Sequence, residues 1–242
     1  MDYYIIIYII FGVLPSLVWL LYYLRKDLHP EPRRMILKIF LWGTLITLPV
    51  FFVQLGFKAL LDVVKINPIA KNLIYWFLVI AFTEEFFKYL VIKLKVINSP
   101  HLDEPLDVML YMVVAALGFA ALENILYLFA PIGITSFDQI VGRALTIVFI
   151  RFIGSTFLHT LCSAVIGYFL AISFYETKSR QWLVATGIIL ATVLHGLYDF
   201  SIMTLDGYAK IVIPVIIILT LAFLVFSGFE ELKKMKSVCK VK

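Results

Sequence analysis

The chain has 242 residues, 62% of them hydrophobic and only 15% charged, with a formal net charge of +5. Soluble domains are near one quarter charged and one half apolar, so the composition excludes an ordinary soluble enzyme and predicts one integral-membrane domain over residues 1–242. In such a chain excess Lys and Arg mark cytoplasmic loops and anionic headgroups; no nucleic-acid motif is visible and no nucleic-acid partner is expected.

A membrane span needs about 20 mostly apolar residues. Such runs are predicted at 4–24, 36–57, 72–93, 107–130, 144–174, 182–203 and 210–229. The fold class is therefore an all-α polytopic membrane protein, a bundle of about seven transmembrane helices with short loops. The first run, in MDYYIIIYIIFGVLPSLVWLLYYLRK, has an acidic start and no small-residue cleavage site, so it reads as a retained span. HPEPRR and NSPHLDEPLD are proline-punctuated turns between spans, and their His29 and His101 read as solvated surface residues. The fifth run is longer than a straight span requires, and a tilt or a bend near Gly154 would absorb the excess. Cys162 lies inside that span and Cys239 in the polar tail, so the two are not a disulfide framework.

Loop charge sets the expected orientation. With the N-terminus outside, Arg25, Lys26, Arg33, Arg34, Lys38, Lys93, Lys95, Lys178, Arg180 and the lysines of EELKKMKSVCKVK fall on the cytoplasmic side. The outer loops then hold only Lys58, Lys65, Lys71, Arg143 and Lys210. The bias favours an N-terminus outside and a C-terminus in the cytoplasm of a multi-pass cell-membrane protein.

Polar groups inside the predicted spans are the informative residues. They are Glu84, Glu85 and Lys88 in the third span, Glu123 and Asn124 in the fourth, His159 in the fifth, and His195 with Asp199 in the sixth. Each mid-membrane charge costs about 2.5–3.5 kcal/mol on insertion scales, so such groups are expected to face one another or a wet cavity. Glu84 and Lys88 are i,i+4 and share a face, whereas Glu85 is rotated from Glu84 by roughly 100°. One carboxylate is then free for chemistry while the other holds a neighbouring helix. His195 and Asp199 are also i,i+4, which lets the Asp fix one ring nitrogen and aim the other. His159 and Ser163 repeat that spacing. Arg151 is expected to neutralise a carboxylate or to snorkel. Taken singly, a Glu–Lys pair can be a packing device and a lone His can be interhelical glue; the set on four spans weakens that reading.

A desolvated carboxylate can take a proton from water, and a second acid or a His can deliver one to a leaving amine. Asn124, Tyr127 or an imidazole can stabilise a tetrahedral oxyanion. These are parts of an amide hydrolase without a covalent nucleophile, although Cys162, three residues from His159, weakly hints at a Cys–His pair. Glu and His are also competent zinc ligands, with His159, His195, Glu85 and Glu123 as candidates, but HExxH is absent. Ligand chemistry leaves both options open: no cofactor, or Zn2+.

FTEEFFKYL, GFAALENILYLF, STFLHTLCSAVIGYFLA and LHGLYDF, in that order on successive spans, resemble the PrsW intramembrane proteases over about residues 72–203. That family is similar to the wider superfamily of CAAX-prenyl proteases and bacteriocin-processing membrane enzymes. The resemblance implies cleavage of a membrane-anchored protein substrate in the bilayer, in the best-known members an anti-sigma factor. It makes Glu84 and Glu85 the essential pair, Glu123 a second acid, and His159 and His195 the essential histidines. The wider superfamily carries Phe, three residues, then His in its second motif; here Phe119 is followed at that spacing by Glu123. The resulting expectation is an intramembrane endopeptidase in which Glu84 or Glu85 activates water, Glu123 relays the proton, His159 orients water or ligates metal, and His195 binds the oxyanion. Lys88, Asn124 and Asp199 play supporting parts. The alternatives are a CAAX-type prenyl-protein protease, a proton-coupled transporter showing substrate-dependent proton flux, and a non-catalytic scaffold that tolerates loss of all five acids and histidines.

Overall fold

The computed structural model describes residues 2–26, 29–129 and 137–235. Cys239 and the tail lysines Lys236, Lys240 and Lys242 lie outside them. Seven helical rods cross in turn: α1 (Asp2–Leu24), α2 (Arg33–Val63), a composite of α3 (Pro68–Leu73), a π-helical segment (Ile74–Phe82) and α4 (Thr83–Lys95), then α5 (Pro105–Phe129), the pair α6 (Phe137–Ile153) and α7 (Ser155–Ile172), α8 (Arg180–Thr204) and α9 (Ala209–Leu232). No strand occurs among the described residues. Six of these stretches are individually long and apolar enough to span a bilayer, with α6 and α7 counted together. The seventh crossing is the composite rod, whose π segment keeps helical backbone geometry at both junctions.

The outer helices present large apolar side chains outward, such as Phe52, Leu60, Leu219 and Phe223, each well over half exposed. In water this would be a vast sticky surface; in a bilayer it is the lipid contact. The protein is a multi-pass membrane protein.

Helix α5 is the exception, buried without a break from Pro105 to Ala121. It runs through the middle of the bundle against α7, α2 and α1. Small residues make this possible, because lipid supplies no hydrophobic drive between helices and close backbone approach must do the work. A Cβ on Gly118 would collide with the Phe40 carbonyl of α2. The Thr44 hydroxyl spans the same contact, meeting the Phe40 and Gly118 carbonyls at 3.0 Å each.

Three departures from regular helix shape the centre. Asn67 caps α3 through its side-chain oxygen, which accepts from Ile69 N at 2.8 Å, with Pro68 in the first turn. The π segment then widens the rod over nine residues directly before Glu84, resetting the register between the apolar run and the charged turn. Thr83 closes it by donating to the Val79 and Ile80 carbonyls. The fifth predicted span begins earlier than expected, at Phe137, and breaks at Gly154 (φ −90°, ψ −103°) as the excess length requires. Trp19 of α1 pins that break: its indole stacks on Phe157 at 4.1 Å and donates to the Phe152 carbonyl at 2.9 Å.

His29 is exposed as expected, yet it is tied to Glu104 of the third loop at 2.6 Å. His101 is exposed.

Candidate active site

Acids and imidazoles from α4, α5, α7 and α8 converge on one polar centre. Glu85 is wholly buried and saturated: Oε1 accepts from Lys88 Nζ at 2.7 Å and meets His195 Nδ1 at 2.9 Å, while Oε2 accepts from Ser163 Oγ at 3.1 Å. It ties α4 to α7 and α8. The closer partner of Lys88 is thus Glu85 at i,i+3, and not the i,i+4 residue Glu84, which lies 3.8 Å away. Both spacings lie on one helix face, and Ser163 and His195 on the far side decide which carboxylate turns inward. Ser163 serves Glu85 and not His159, contrary to the expected i,i+4 pairing.

His159 is held from both ends. Nδ1 lies 2.9 Å from Lys88 Nζ and Nε2 lies 2.8 Å from Glu123 Oε2. A lysine ammonium only donates and a carboxylate only accepts, so Nδ1 accepts and Nε2–H donates. With both nitrogens engaged, the ring forms no pair with Cys162, which is buried and free. Arg151 does neutralise a carboxylate: Nη2 meets Glu123 Oε2 at 2.7 Å, and its guanidinium lies 4.0 Å from the Tyr127 ring centroid. Asn124 departs from its expected part as an oxyanion donor. Its amide nitrogen donates to the Gly12 carbonyl at 3.1 Å and to Thr156 at 3.2 Å, and its oxygen accepts from Arg151 Nε, so it joins α1, α5, α6 and α7.

His195 faces carboxylates at both nitrogens. Nδ1 meets Glu85, and Nε2 stands 3.3 Å from Asp199 Oδ2. The Asp199 spacing read from the sequence is realised, but the second nitrogen points at Glu85 and is not left free. The adjacent Gly196 lets the π segment approach, since a Cβ there would lie 2.7 Å from Phe77 Cδ1. The two imidazoles meet edge to face with centroids 5.0 Å apart.

Glu84 turns the other way, onto a cavity of about 550 Å3 that His159, His195, Glu123, Arg151 and Asp199 also line. Apolar side chains, among them Phe51, Ile80 and Ile147, make up the rest of its wall. Glu84 Oε1 accepts from Gln54 Nε2 of α2 at 3.1 Å. Oε2 is buried and has no hydrogen-bond partner among the described residues. Three groups surround it at a distance: Lys88 Nζ at 3.8 Å, His159 Nδ1 at 3.8 Å and His195 Nε2 at 3.9 Å. An unpaired buried carboxylate oxygen is costly, and a space bounded by an ammonium and two imidazole nitrogens suits a water, a substrate oxygen or a cation.

Sequence reasoning missed Gln54 and Thr83. Gln54 did leave a signal, being a lone amide in the apolar run LPVFFVQLGF. Burying such a group without a partner costs roughly 2–7 kcal/mol, so a partner inside the bundle was to be expected.

The donor set also fits a zinc ion. Glu84, His159 and His195 each offer one ligand atom within 4.8 Å of the others. Two imidazoles and a carboxylate form a familiar three-ligand catalytic set, whose ligand atoms lie roughly 3.4 Å apart around a tetrahedral ion. Each ring has its other nitrogen on a carboxylate, which orients the ligating nitrogen. The grouping differs from the expected candidates: Glu84 lies with the two histidines, while Glu85 is engaged with Lys88, Ser163 and His195 and Glu123 with Arg151 and His159. Lys88 would yield its contact with His159 Nδ1 to such an ion.

A seven-rod membrane bundle with acids and imidazoles converging on one cavity defines a polytopic membrane protein built for hydrolytic or proton-transfer chemistry. The sequence matches the family model described as PrsW family intramembrane metalloprotease over residues 31–227, and the chain belongs to that family. It is 32% identical over 198 residues to Protease PrsW of Geobacillus kaustophilus, covering 81% of this chain and 80% of the relative. Identity to Protease PrsW of Bacillus subtilis is 28% over 229 residues, 94% of each chain. No solved structure matches the fold. The protein is an intramembrane peptidase acting on protein substrates.

Proposed function

We propose that Glu84 is the general base that activates water to hydrolyse a peptide bond in a membrane-anchored protein. The observation that carries this reading is the unpartnered Glu84 Oε2 on the cavity wall, ringed by Lys88, His159 and His195 at 3.8–3.9 Å. A water bound there gives its proton to Oε2, and its oxygen bonds to the scissile carbonyl carbon. The tetrahedral oxyanion that forms is met by His195 as imidazolium: Nδ1–H is committed to Glu85, and Nε2–H, 3.3 Å from Asp199, faces the cavity. Collapse breaks the C–N bond, and Glu84 returns the proton to the departing nitrogen, leaving a carboxyl and an amine terminus.

Glu85 is assigned a holding role, because all its contacts lie behind the cavity. Glu123 is assigned to orient His159 through Nε2, in place of the proton relay expected for it, because Oε2 already receives both Arg151 and His159. The apolar wall suits the side chains of a membrane-embedded segment. The distribution of Lys and Arg supports an N-terminus outside and a C-terminus in the cytoplasm. At the proposed cytoplasmic end, Lys26 lies over the Phe226 ring and Lys95 over Trp42, as interfacial cations with buried stems do.

The test is Glu84→Gln in purified protein reconstituted with a single-span reporter substrate. Cleavage is expected to fall at least about 100-fold with thermal stability unchanged; a wild-type rate overturns the assignment.

A second reading is favoured by the three-donor set. Glu84, His159 and His195 would hold a zinc ion, which when bound supplies a Lewis acid and lowers the pKa of its water. Under it, Glu85 and Glu123 keep the two imidazoles aimed. Stoichiometric zinc in active protein, with activity lost to chelator and restored by zinc, would replace the first reading.

A further inference from the structure

We propose that Gln54 is a positioning residue that clamps the Glu84 carboxylate so that only Oε2 faces the reacting water. This inference rests on the assignment of Glu84 as base. Gln54 is the one α2 side chain hydrogen-bonded to the polar centre among the described residues. Its amide nitrogen meets two acceptors, Glu84 Oε1 at 3.1 Å and Thr83 Oγ1 at 3.3 Å.

The chemistry fixes which way the amide points. A carboxylate oxygen can only accept, and the Thr83 hydroxyl already spends its hydrogen on the Val79 and Ile80 carbonyls. Both therefore need a donor, and the Gln54 NH2 group supplies one hydrogen to each. The amide and the carboxylate are locked by two contacts on consecutive residues of a single turn. That turn is the first after the π segment, so the clamp also joins α2 to the place where the composite rod changes register.

Occupying Oε1 does two things. It removes one of two equivalent oxygens from the contest for water, leaving a single attack geometry. It also holds the carboxylate plane so that Oε2 keeps its place among Lys88, His159 and His195, each 3.8–3.9 Å away. Gln54 lines the same cavity as Glu84, so it acts from the substrate side without taking part in bond making.

Gln54→Met keeps length and volume and removes the donor. In proteoliposomes with a single-span reporter, kcat is expected to fall about 10- to 100-fold while KM stays within twofold. Difference infrared spectra of wild type and Glu84→Gln isolate the Glu84 carboxylate band, and that band is expected to shift in Gln54→Met. Gln54→Asn retains the donor on a shorter stem and is expected to recover part of kcat. An unchanged kcat, or a raised KM with kcat unchanged, overturns the inference, the latter by making Gln54 a substrate contact. If Gln54→Met does not accumulate, Gln54→Asn is read alone, and a wild-type kcat with an unshifted band overturns it. Full activity in Glu84→Gln is the separate result that removes the base assignment itself.

Discussion

Lys88 and Glu85 form an ion pair 2.7 Å long in which neither side chain is open to solvent. Each remaining hydrogen bond of the pair leads to a histidine or a serine on another helix, so the pair holds the site together from behind. Lys88→Met leaves the Glu85 charge buried with only Ser163 and His195. Breaking a buried pair at one end costs about 3–5 kcal/mol. The expected result is a lower melting temperature in detergent and low membrane yield. The double variant Glu85→Gln with Lys88→Met regains part of that stability but stays inactive, because His159 and His195 have lost their supports.

Glu123→Gln should separate orientation from chemistry. The amide cannot repeat the charge-assisted contact with His159 Nε2, and Arg151 loses its counter-charge. Substituting a carboxylate that orients an imidazole typically costs about 10- to 100-fold in activity. A loss in that range, smaller than for Glu84→Gln in the same reporter assay, is expected. A loss equal to that of Glu84→Gln would return Glu123 to direct proton transfer.

Gly118→Ala tests the packing of the central helix. The new methyl meets the Phe40 carbonyl, backbone on backbone, and no side chain can swing away to make room. Destabilisation of about 1–3 kcal/mol or more is expected, read as a drop in melting temperature. Gly142→Ala inside α6, where a Cβ meets nothing within 4 Å, is the control and should not lower stability.

Chelation decides between the two readings of the centre. With Glu84 acting on water alone, excess chelator leaves reporter cleavage at its starting rate. Elemental analysis of the same preparation then finds no stoichiometric zinc.

Much of the bundle was legible because the bilayer imposes its own ruler: an apolar run of about 20 residues is a crossing whatever else it does. Intramembrane Glu and His were legible for the same reason, since lipid makes them expensive enough to need a common pocket. The π segment, which packs against α8, was not, because IYWFLVIAF has the composition of any apolar helix. Partner choice was not legible either. Spacing along one helix showed that Lys88 can reach Glu84 or Glu85, but the winner depends on Ser163 and His195, which lie far away in the chain. Asn124 was misread on similar grounds: its neighbour Glu123 suggested chemistry, while Gly12, Thr156 and Arg151 claim every atom of its amide.

The sheathing of α5 has a further consequence. Burial is continuous from Pro105 to Ala121 and ends just before Glu123, where Leu126, Tyr127 and Phe129 come partly to the surface. A client helix is therefore expected to reach the acids at that end of the rod, the one stretch of α5 that acyl chains can touch.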